Sequence, residues 1–248
     1  MRVEVTEVAP GVHHARARHV SWVLVTDGDE VTLIDSGYPG DRQRVFASLE
    51  AVGRSPADLA AVLLTHGHPD HLGSAEHLRS ARGLPVWTHE REVANATGER
   101  IEQVSEATLL RMVWRPSVSR WLVDVLLLKG ARPERLREVA TFTEGPLDVP
   151  GRPVAVPTPG HTSGHTSFHL PDRGALVAGD ALMTGHALTR SAGPQLLPGF
   201  FNTDTAEARA SLARLRDLPA EVVVPGHGPA FRGAPAAAVA EALDRPPR

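Results

Sequence analysis

The chain has 248 residues, a formal net charge of −3 and no cysteine. This length fits one large α/β domain with its own core, and the weak negative charge does not favour a nucleic acid or an acidic membrane surface as a partner. Because cysteine is absent, disulfides and thiolate metal sites are excluded, so a metal ion would have to bind through histidine and carboxylate side chains.

The first part of the chain alternates strand patterns with helical ones. Val20–Thr26 and Glu30–Asp35 are typical of a β-hairpin with its turn at residues 27–29. Asp41–Val52 has the apolar spacing of a helix. The next predicted elements are a strand, a helix and a strand, at residues 60–65, 72–82 and 85–88.

Residues 90–140 are charged and have a helical pattern, which we expect to break into two helices at Pro116. Trp114 and Trp121 lie in its apolar stripe. We predict that this insertion is a helical lid over the entrance of a site, with simple helix packing or a homodimer interface as alternatives.

Strand patterns return after the insertion and alternate again with one helix. This order predicts a single domain over residues 1–248, in which two sheets pack together with helices outside. The elements predicted here are four strands and a helix, at residues 154–156, 166–170, 175–178, 221–224 and 206–218.

The strongest chemical signal is the heptapeptide THGHPDH, residues 65–71, which follows a predicted buried strand. On a regular helix His66 and His68 would diverge, and on a strand Asp70 and His71 would point apart. A tight turn followed by a helix N-terminus lets all four side chains converge, and a helix N-terminus also favours the negative charge of Asp70.

Three later loops carry the same kinds of side chain, each directly after a glycine and close behind a predicted strand. Glycine permits the sharp turn that directs such a side chain into a shared site. Each loop alone is a weak signal, but together with the heptapeptide they indicate a metal centre. The three residues are His161, Asp180 and His227.

The strings HGHPDH, GHT, GD and PGHG, in this order, resemble the motifs of the metallo-β-lactamase-fold hydrolase superfamily, in particular its glyoxalase II and lactonase-like dinuclear branch. The resemblance covers roughly residues 20–230 and implies an α/β fold, a four-layer αββα sandwich. By position it implies a first metal ion on His66, His68 and His161, a second on Asp70, His71 and His227, and Asp180 as the bridge between them.

The donor set agrees with this resemblance, because imidazole and carboxylate ligands without sulfur suit zinc, with iron or manganese as alternatives. Two Zn²⁺ ions per chain can share a hydroxide and polarise a carbonyl group. We expect Asp70 to orient that hydroxide and to transfer its proton. The predicted activity is hydrolysis of a small-molecule thioester, lactone or related ester.

Three alternatives remain open: a mononuclear iron persulfide dioxygenase, a β-lactam hydrolase and a scaffold without activity. The sequence after Asp180 does not match the pattern we expect for the dioxygenase. No secretory signal begins the chain, whereas zinc β-lactamases are secreted, so we expect a cytoplasmic protein without a membrane partner. The complete ligand set argues against the scaffold.

Outside the ligand set, we predict that Asp35 contacts the metal ligands and holds them in place without binding the metal itself. His165 is expected to have a structural or supporting role, and His186 is a candidate for the wall of the pocket. The remaining histidines are expected to be ordinary surface or core residues.

Overall fold

The computed structural model describes residues 3–189 and 191–245. Its first sheet contains seven strands, which lie side by side in chain order. They are β1 (Glu4–Ala9), β2 (Val12–Arg16), β3 (Ser21–Asp27), β4 (Glu30–Ile34), β5 (Leu59–Leu63), β6 (Val86–His89) and β7 (Ala140–Phe142). Strands β1 to β4 pair antiparallel, and β4 to β7 pair parallel.

The second sheet contains six strands in the order β13-β12-β11-β10-β9-β8. Its strands are β8 (Gly145–Pro146), β9 (Val154–Pro157), β10 (Thr166–Leu170), β11 (Ala175–Gly179), β12 (Val222–Pro225) and β13 (Phe231–Arg232). Only β11 and β12 pair parallel, and the other neighbours are antiparallel.

Helices fill the connections of both sheets. They are α1 (Arg42–Ala51), α2 (Pro69–Leu72), α3 (Ala75–Arg82), α4 (Val93–Thr97), α5 (Glu106–Leu110), α6 (Pro116–Leu127), α7 (Thr205–Ser211), α8 (Ala213–Arg216) and α9 (Pro235–Asp244). None of the helices within the described ranges is long and apolar enough to cross a bilayer.

Three apolar clusters hold these layers together. The central one lies between the sheets, where Val23 and Ile34 of the first sheet belong to the same cluster as Phe168 and Val224 of the second. A second cluster joins the outer face of the first sheet to α1 and α3, and a third joins the second sheet to α8 and α9. The predicted αββα sandwich is therefore confirmed.

The structure adds elements that the sequence patterns did not predict. Two strands precede the predicted hairpin, and α9 forms in the Pro/Ala-rich end of the chain, where no element was expected. The helix predicted for residues 72–82 is divided after Leu72, with α2 before the break and α3 after it. A Cβ on Gly73, within the break, would lie 2.3 Å from the backbone of Tyr38 and Pro39. The helix predicted for residues 206–218 is likewise divided, into α7 and α8.

Residues 93–127 of the insertion form α4, α5 and α6, and α6 begins at the predicted break, Pro116. Asp124 ties α6 to the first sheet, because its carboxylate accepts hydrogen bonds from Arg18 at 3.0 Å and lies 2.9 Å from His19 Nε2. The helix ends before Lys129, the only lysine of the chain, which takes a left-handed φ of 60°.

We expect the aromatic ring of Phe168, which is fully buried between the sheets, to be essential for their packing. Phe168→Ala should lower the free energy of unfolding by ~3–5 kcal/mol, because it removes buried apolar area and leaves a cavity. Urea denaturation measures the change. Leu127→Ala is the control, since Leu127 is 73% exposed and its truncation should change stability by less than ~0.5 kcal/mol. Equal losses in the two variants would contradict this account of the core.

Candidate metal centre

The structure brings together all seven residues that the sequence predicts as ligands. They come from loops that follow strands and from the first turn of α2. His66 and His68 follow β5, Asp70 and His71 lie in α2, and His161, Asp180 and His227 follow β9, β11 and β12.

The seven residues form two adjacent clusters that could each hold a metal ion. In the first, the ligand atoms of His66, His68 and His161 lie within 4.8 Å of one another. The second cluster, Asp70, His71 and His227, meets the same limit. Within the first cluster, His161 Nε2 lies 3.2 Å from His66 Nε2 and 3.0 Å from His68 Nδ1.

Asp180 lies between the clusters and contacts both. Its Oδ2 atom is 3.4 Å from His161 Nε2 in the first cluster and 3.1 Å from His227 Nε2 in the second. Its Oδ1 atom is 3.5 Å from His71 Nε2. One carboxylate therefore reaches the candidate ligand atoms on both sides, which is the placement that a bridging ligand requires.

The ring of each candidate histidine is fixed by a hydrogen bond from the nitrogen that faces away from the centre. Each acceptor is an oxygen, so this nitrogen carries a proton and the inward nitrogen is the one that can bind a metal ion. The donor and acceptor pairs are His66 Nδ1 with Thr65 Oγ1, His68 Nε2 with the Glu102 carbonyl, His71 Nδ1 with Asp35 Oδ2, His161 Nδ1 with Asn202 Oδ1, and His227 Nδ1 with the His19 carbonyl.

Burial and neighbouring charges shift the pKa values of the candidate histidines in different directions. Burial, reinforced by the neighbouring histidines, holds the pKa of His66 well below its usual range. Burial would also lower the pKa of His71, but the carboxylates of Asp180, Asp35 and Asp70 outweigh it and raise this pKa to about 10. The pKa of Asp180 is held well below its usual range, because His227 and His71 outweigh its burial.

Two unpartnered atoms show that the centre is built for a cation. His71 Nε2 and Asp180 Oδ1 are buried, and neither has a hydrogen-bond partner within the described part of the chain. Buried polar atoms without hydrogen-bond partners are costly, and these two lie 3.5 Å apart within the centre. A divalent metal ion would coordinate both atoms, so the residues present fit such an ion.

Glycines explain how two of the ligands reach the centre. A Cβ on Gly226, directly before His227, would lie 2.2 Å from Asp180 Oδ1. Gly160, directly before His161, has a φ of +121°, and a Cβ there would lie 2.1 Å from the backbone nitrogen of Ala208. Neither position admits a side chain, so the glycines noted in the sequence are required by the geometry of the centre.

A buried carboxylate that the sequence analysis did not identify, Glu92, joins the two principal ligand loops. Its Oε1 accepts a hydrogen bond from the amide of Gly67, in the loop that carries His66 and His68. Its Oε2 accepts from Thr162 Oγ1 and from the amide of Gly164, in the loop that carries His161. A lone glutamate far from any motif gives no local signal, so only the tertiary structure identifies it.

Comparison with known proteins agrees with this geometry. The sequence profile described as the metallo-beta-lactamase superfamily matches residues 15–227. The chain belongs to the metallo-beta-lactamase superfamily. This match covers strands β3 to β12 and all seven candidate ligands.

Several curated proteins are similar to this superfamily member. The probable metallo-hydrolase YflN of Bacillus subtilis (strain 168) is 29% identical over 235 residues, which are 90% of this chain and 85% of YflN. A hydroxyacylglutathione hydrolase of Alkalilimnicola ehrlichii is 33% identical over 147 residues, but these are 59% of this chain and only 41% of that enzyme.

Solved structures share the fold over nearly the whole chain. A metallo-beta-lactamase family protein from Thermus thermophilus is 27% identical, with a TM-score of 0.66, and the match covers 94% of this chain and 78% of that one. BJP-1, a subclass B3 metallo-beta-lactamase of Bradyrhizobium japonicum, is 16% identical with a TM-score of 0.68, covering 98% and 90%. At this low identity the second match concerns the fold alone.

The supporting residues proposed for this metallo-beta-lactamase superfamily member lie close to the ligands. Asp35 takes a left-handed φ of 62° and accepts hydrogen bonds from the amide and hydroxyl of Thr65, besides that of His71. His165 Nε2 accepts a hydrogen bond from the amide of Asp180 at 2.9 Å. His186 packs edge-on against His227, with ring centroids 5.1 Å apart, and lines the adjoining cavity.

The two tryptophans of the apolar stripe in the insertion lie in different surroundings. Trp121 is buried and lines the cavity next to the metal centre, whereas Trp114 is 74% exposed and is not among the residues that line it. Of the two tryptophans in the predicted lid, Trp121 therefore lines the cavity and Trp114 does not. The reason is the break at Pro116, which places Trp114 in a turn before α6.

We predict that Asp35→Asn weakens metal binding without unfolding the protein. The new amide would put a donor where His71 Nδ1 now donates, so His71 would move its proton to Nε2, the atom that faces the centre. Metal affinity should fall by ~10–100-fold, the usual effect of losing such a support. Competition with a chelator measures the affinity. Asp29→Asn, at a fully exposed side chain, should leave it unchanged, and an unchanged affinity in both variants would contradict the role of Asp35.

Proposed function

We propose that this superfamily member, a metal-dependent hydrolase, works with two metal ions and cleaves a small-molecule thioester, lactone or related ester. The observation that carries the proposal is the position of Asp180, whose carboxylate contacts histidines of both clusters. A centre for one ion would not need a carboxylate shared between two complete sets of ligands.

In this proposal His66, His68 and His161 hold the first ion, Asp70, His71 and His227 hold the second, and Asp180 contacts both. Imidazole and carboxylate donors without thiolate favour zinc, with iron or manganese as alternatives. When bound, two such ions lower the pKa of a water molecule towards ~7 and polarise the carbonyl group of a substrate.

Asp70 is the side chain that we assign to proton transfer. Its carboxylate lies at the rim of the cavity and faces the second cluster, with Oδ2 3.5 Å from His227 Nε2 and 3.8 Å from His71 Nε2. The buried Tyr38 lines the same cavity, and burial together with the nearby charge of Asp70 raises the pKa of its hydroxyl well above the usual range. In this position, Asp70 can orient the attacking water, take its proton and return that proton to the leaving group.

We further propose that residues 90–140 act as a lid. Residues of α5 and α6 and of the loops around them line the cavity that opens onto the metal centre. A lid of this kind would exclude water from the site and position the substrate.

Metal content tests the dinuclear assignment. We expect about two zinc ions per chain in protein purified without chelators, because seven ligands converge in two sets. Inductively coupled plasma mass spectrometry measures the ratio. One iron ion per chain without zinc would overturn the dinuclear assignment and favour the dioxygenase.

Asp70→Asn tests the mechanism. The variant keeps the shape of the side chain and one oxygen ligand but loses the charge and the ability to accept a proton. We expect it to remain folded, to keep most of its second metal ion and to lose about two orders of magnitude or more in kcat. Near-native turnover with both ions bound would show that Asp70 neither orients the water nor transfers the proton.

His71→Ala is the matched comparison, because it removes a ligand of the same ion without removing the proton acceptor. We expect its activity to follow metal occupancy, so excess zinc should restore part of it. If added zinc restored Asp70→Asn to the same extent, Asp70 would be only a ligand.

A panel of thioesters, lactones, β-lactams and phosphodiesters tests the reaction class. We expect the metal-loaded protein to hydrolyse thioesters, lactones or simple esters. This activity should be lost when the metal is removed. Turnover of β-lactams or phosphodiesters alone would replace the proposed substrates.

A further inference from the structure

A cavity of about 200 Å³ opens directly onto the metal centre. Asp70, His161, Asp180 and His227 all line it, so a molecule in the cavity would present its reacting group to the candidate ligands. The rest of the cavity wall therefore determines what chemical character the non-reacting part of a substrate can have.

The insertion contributes an apolar wall. Leu109 of α5 and four residues of α6 line this side of the cavity, and Phe201 and Leu197 also line it. The rings make a connected series, since Trp121 is 5.9 Å from Phe201 and 6.0 Å from His186, centroid to centroid. The four residues of α6 are Trp121, Leu122, Val125 and Leu126.

Apart from the candidate metal ligands, the described residues that line the cavity offer no positive side chain to an anionic substrate. Among residues 3–189 and 191–245, no lysine or arginine lines it. The polar residues contributed by the insertion are Gln103 and Glu106, which are both exposed and so belong to its mouth. A carboxylate or phosphate buried against the apolar wall, away from the metal centre, would lose its hydration without gaining a cation, which is costly.

From this wall we infer that the substrate is a lactone or ester whose non-reacting part is an uncharged hydrocarbon chain or ring. The inference rests on the proposed function and narrows it. The hydrocarbon would lie against α6 and Phe201, while the carbonyl group faces the two metal clusters. Substrates that carry an anionic group on the part that lies away from the reacting carbonyl, as a glutathione thioester does, would place that charge against an apolar wall.

A series of γ-lactones with alkyl chains of increasing length tests this inference with the zinc-loaded protein. We expect kcat/KM to rise about fourfold for each methylene until the cavity is filled, from ~0.8 kcal/mol per buried CH₂ at ~1.4 kcal/mol per tenfold. A lactone of equal length that ends in a carboxylate should be poorer by about 100-fold. An acid-tipped lactone equal to or better than the alkyl lactone would overturn the inference.

Two substitutions at neighbouring residues of α6 test whether the alkyl chain of the substrate lies against this helix. Leu126 lines the cavity and is 62% exposed, so an arginine there can keep its charge in water while reaching the cavity mouth. Leu126→Arg should reduce the preference for the alkyl over the acid-tipped lactone by about tenfold or more. Leu127→Arg adds the same charge at the next residue, which does not line the cavity, and should change the preference less than about twofold. Equal changes in both variants would overturn the placement of the chain against α6.

Binding without turnover separates this inference from the proposed reaction. Calorimetric titration of the zinc-loaded protein with alkyl γ-lactams, the non-hydrolysed counterparts of the lactones, should show affinity that rises with chain length. If the lactams bind in this order but no lactone is cleaved, hydrolysis fails while apolar recognition stands. If lactones are cleaved without dependence on chain length, apolar recognition fails while hydrolysis stands.

Discussion

The hydrogen bonds of Glu92 hold the two principal ligand loops in one arrangement, and the metal centre depends on them. One loop leaves the first sheet after β5 and the other leaves the second sheet after β9, so the sheets alone do not fix their separation. A single carboxylate accepts from backbone amides of both loops in a fully buried position. Such a buried network is favourable only when every donor is satisfied, so the two loops have little freedom to move apart.

The charges of the candidate ligands must likewise be balanced by charges of the opposite sign. Seven ionisable side chains lie side by side and out of solvent, and charged groups of one sign would repel each other strongly there. The structure pairs them instead, with His71 and His227 facing Asp180, Asp70 and Asp35, while His66 and His161 remain neutral. Metal ions would take over the role of these protons, so metal binding and proton release are expected to be linked.

The sequence predicts the ligands better than it predicts what surrounds them. His66–His71 and the three glycine-led residues are local patterns at strand ends, and the sandwich brings those ends together. Other residues contact the ligands or their loops from distant parts of the chain, so no sequence spacing predicts their roles. They are Glu92, Tyr38 and His19, the last through its carbonyl. The break of the insertion at Pro116 is predictable from the sequence, but the position of Trp114 in the turn before α6, away from the cavity, is not.

Lys129 offers a single side-chain amine for chemical labelling near the cavity. It is the only lysine of the chain, it is exposed, and it precedes Gly130, which lines the cavity. An amine-reactive fluorophore would therefore attach, apart from the α-amino group, at one position beside the cavity mouth. Its emission would report on the environment at the end of α6 in solution, without the introduction of a cysteine or any other substitution.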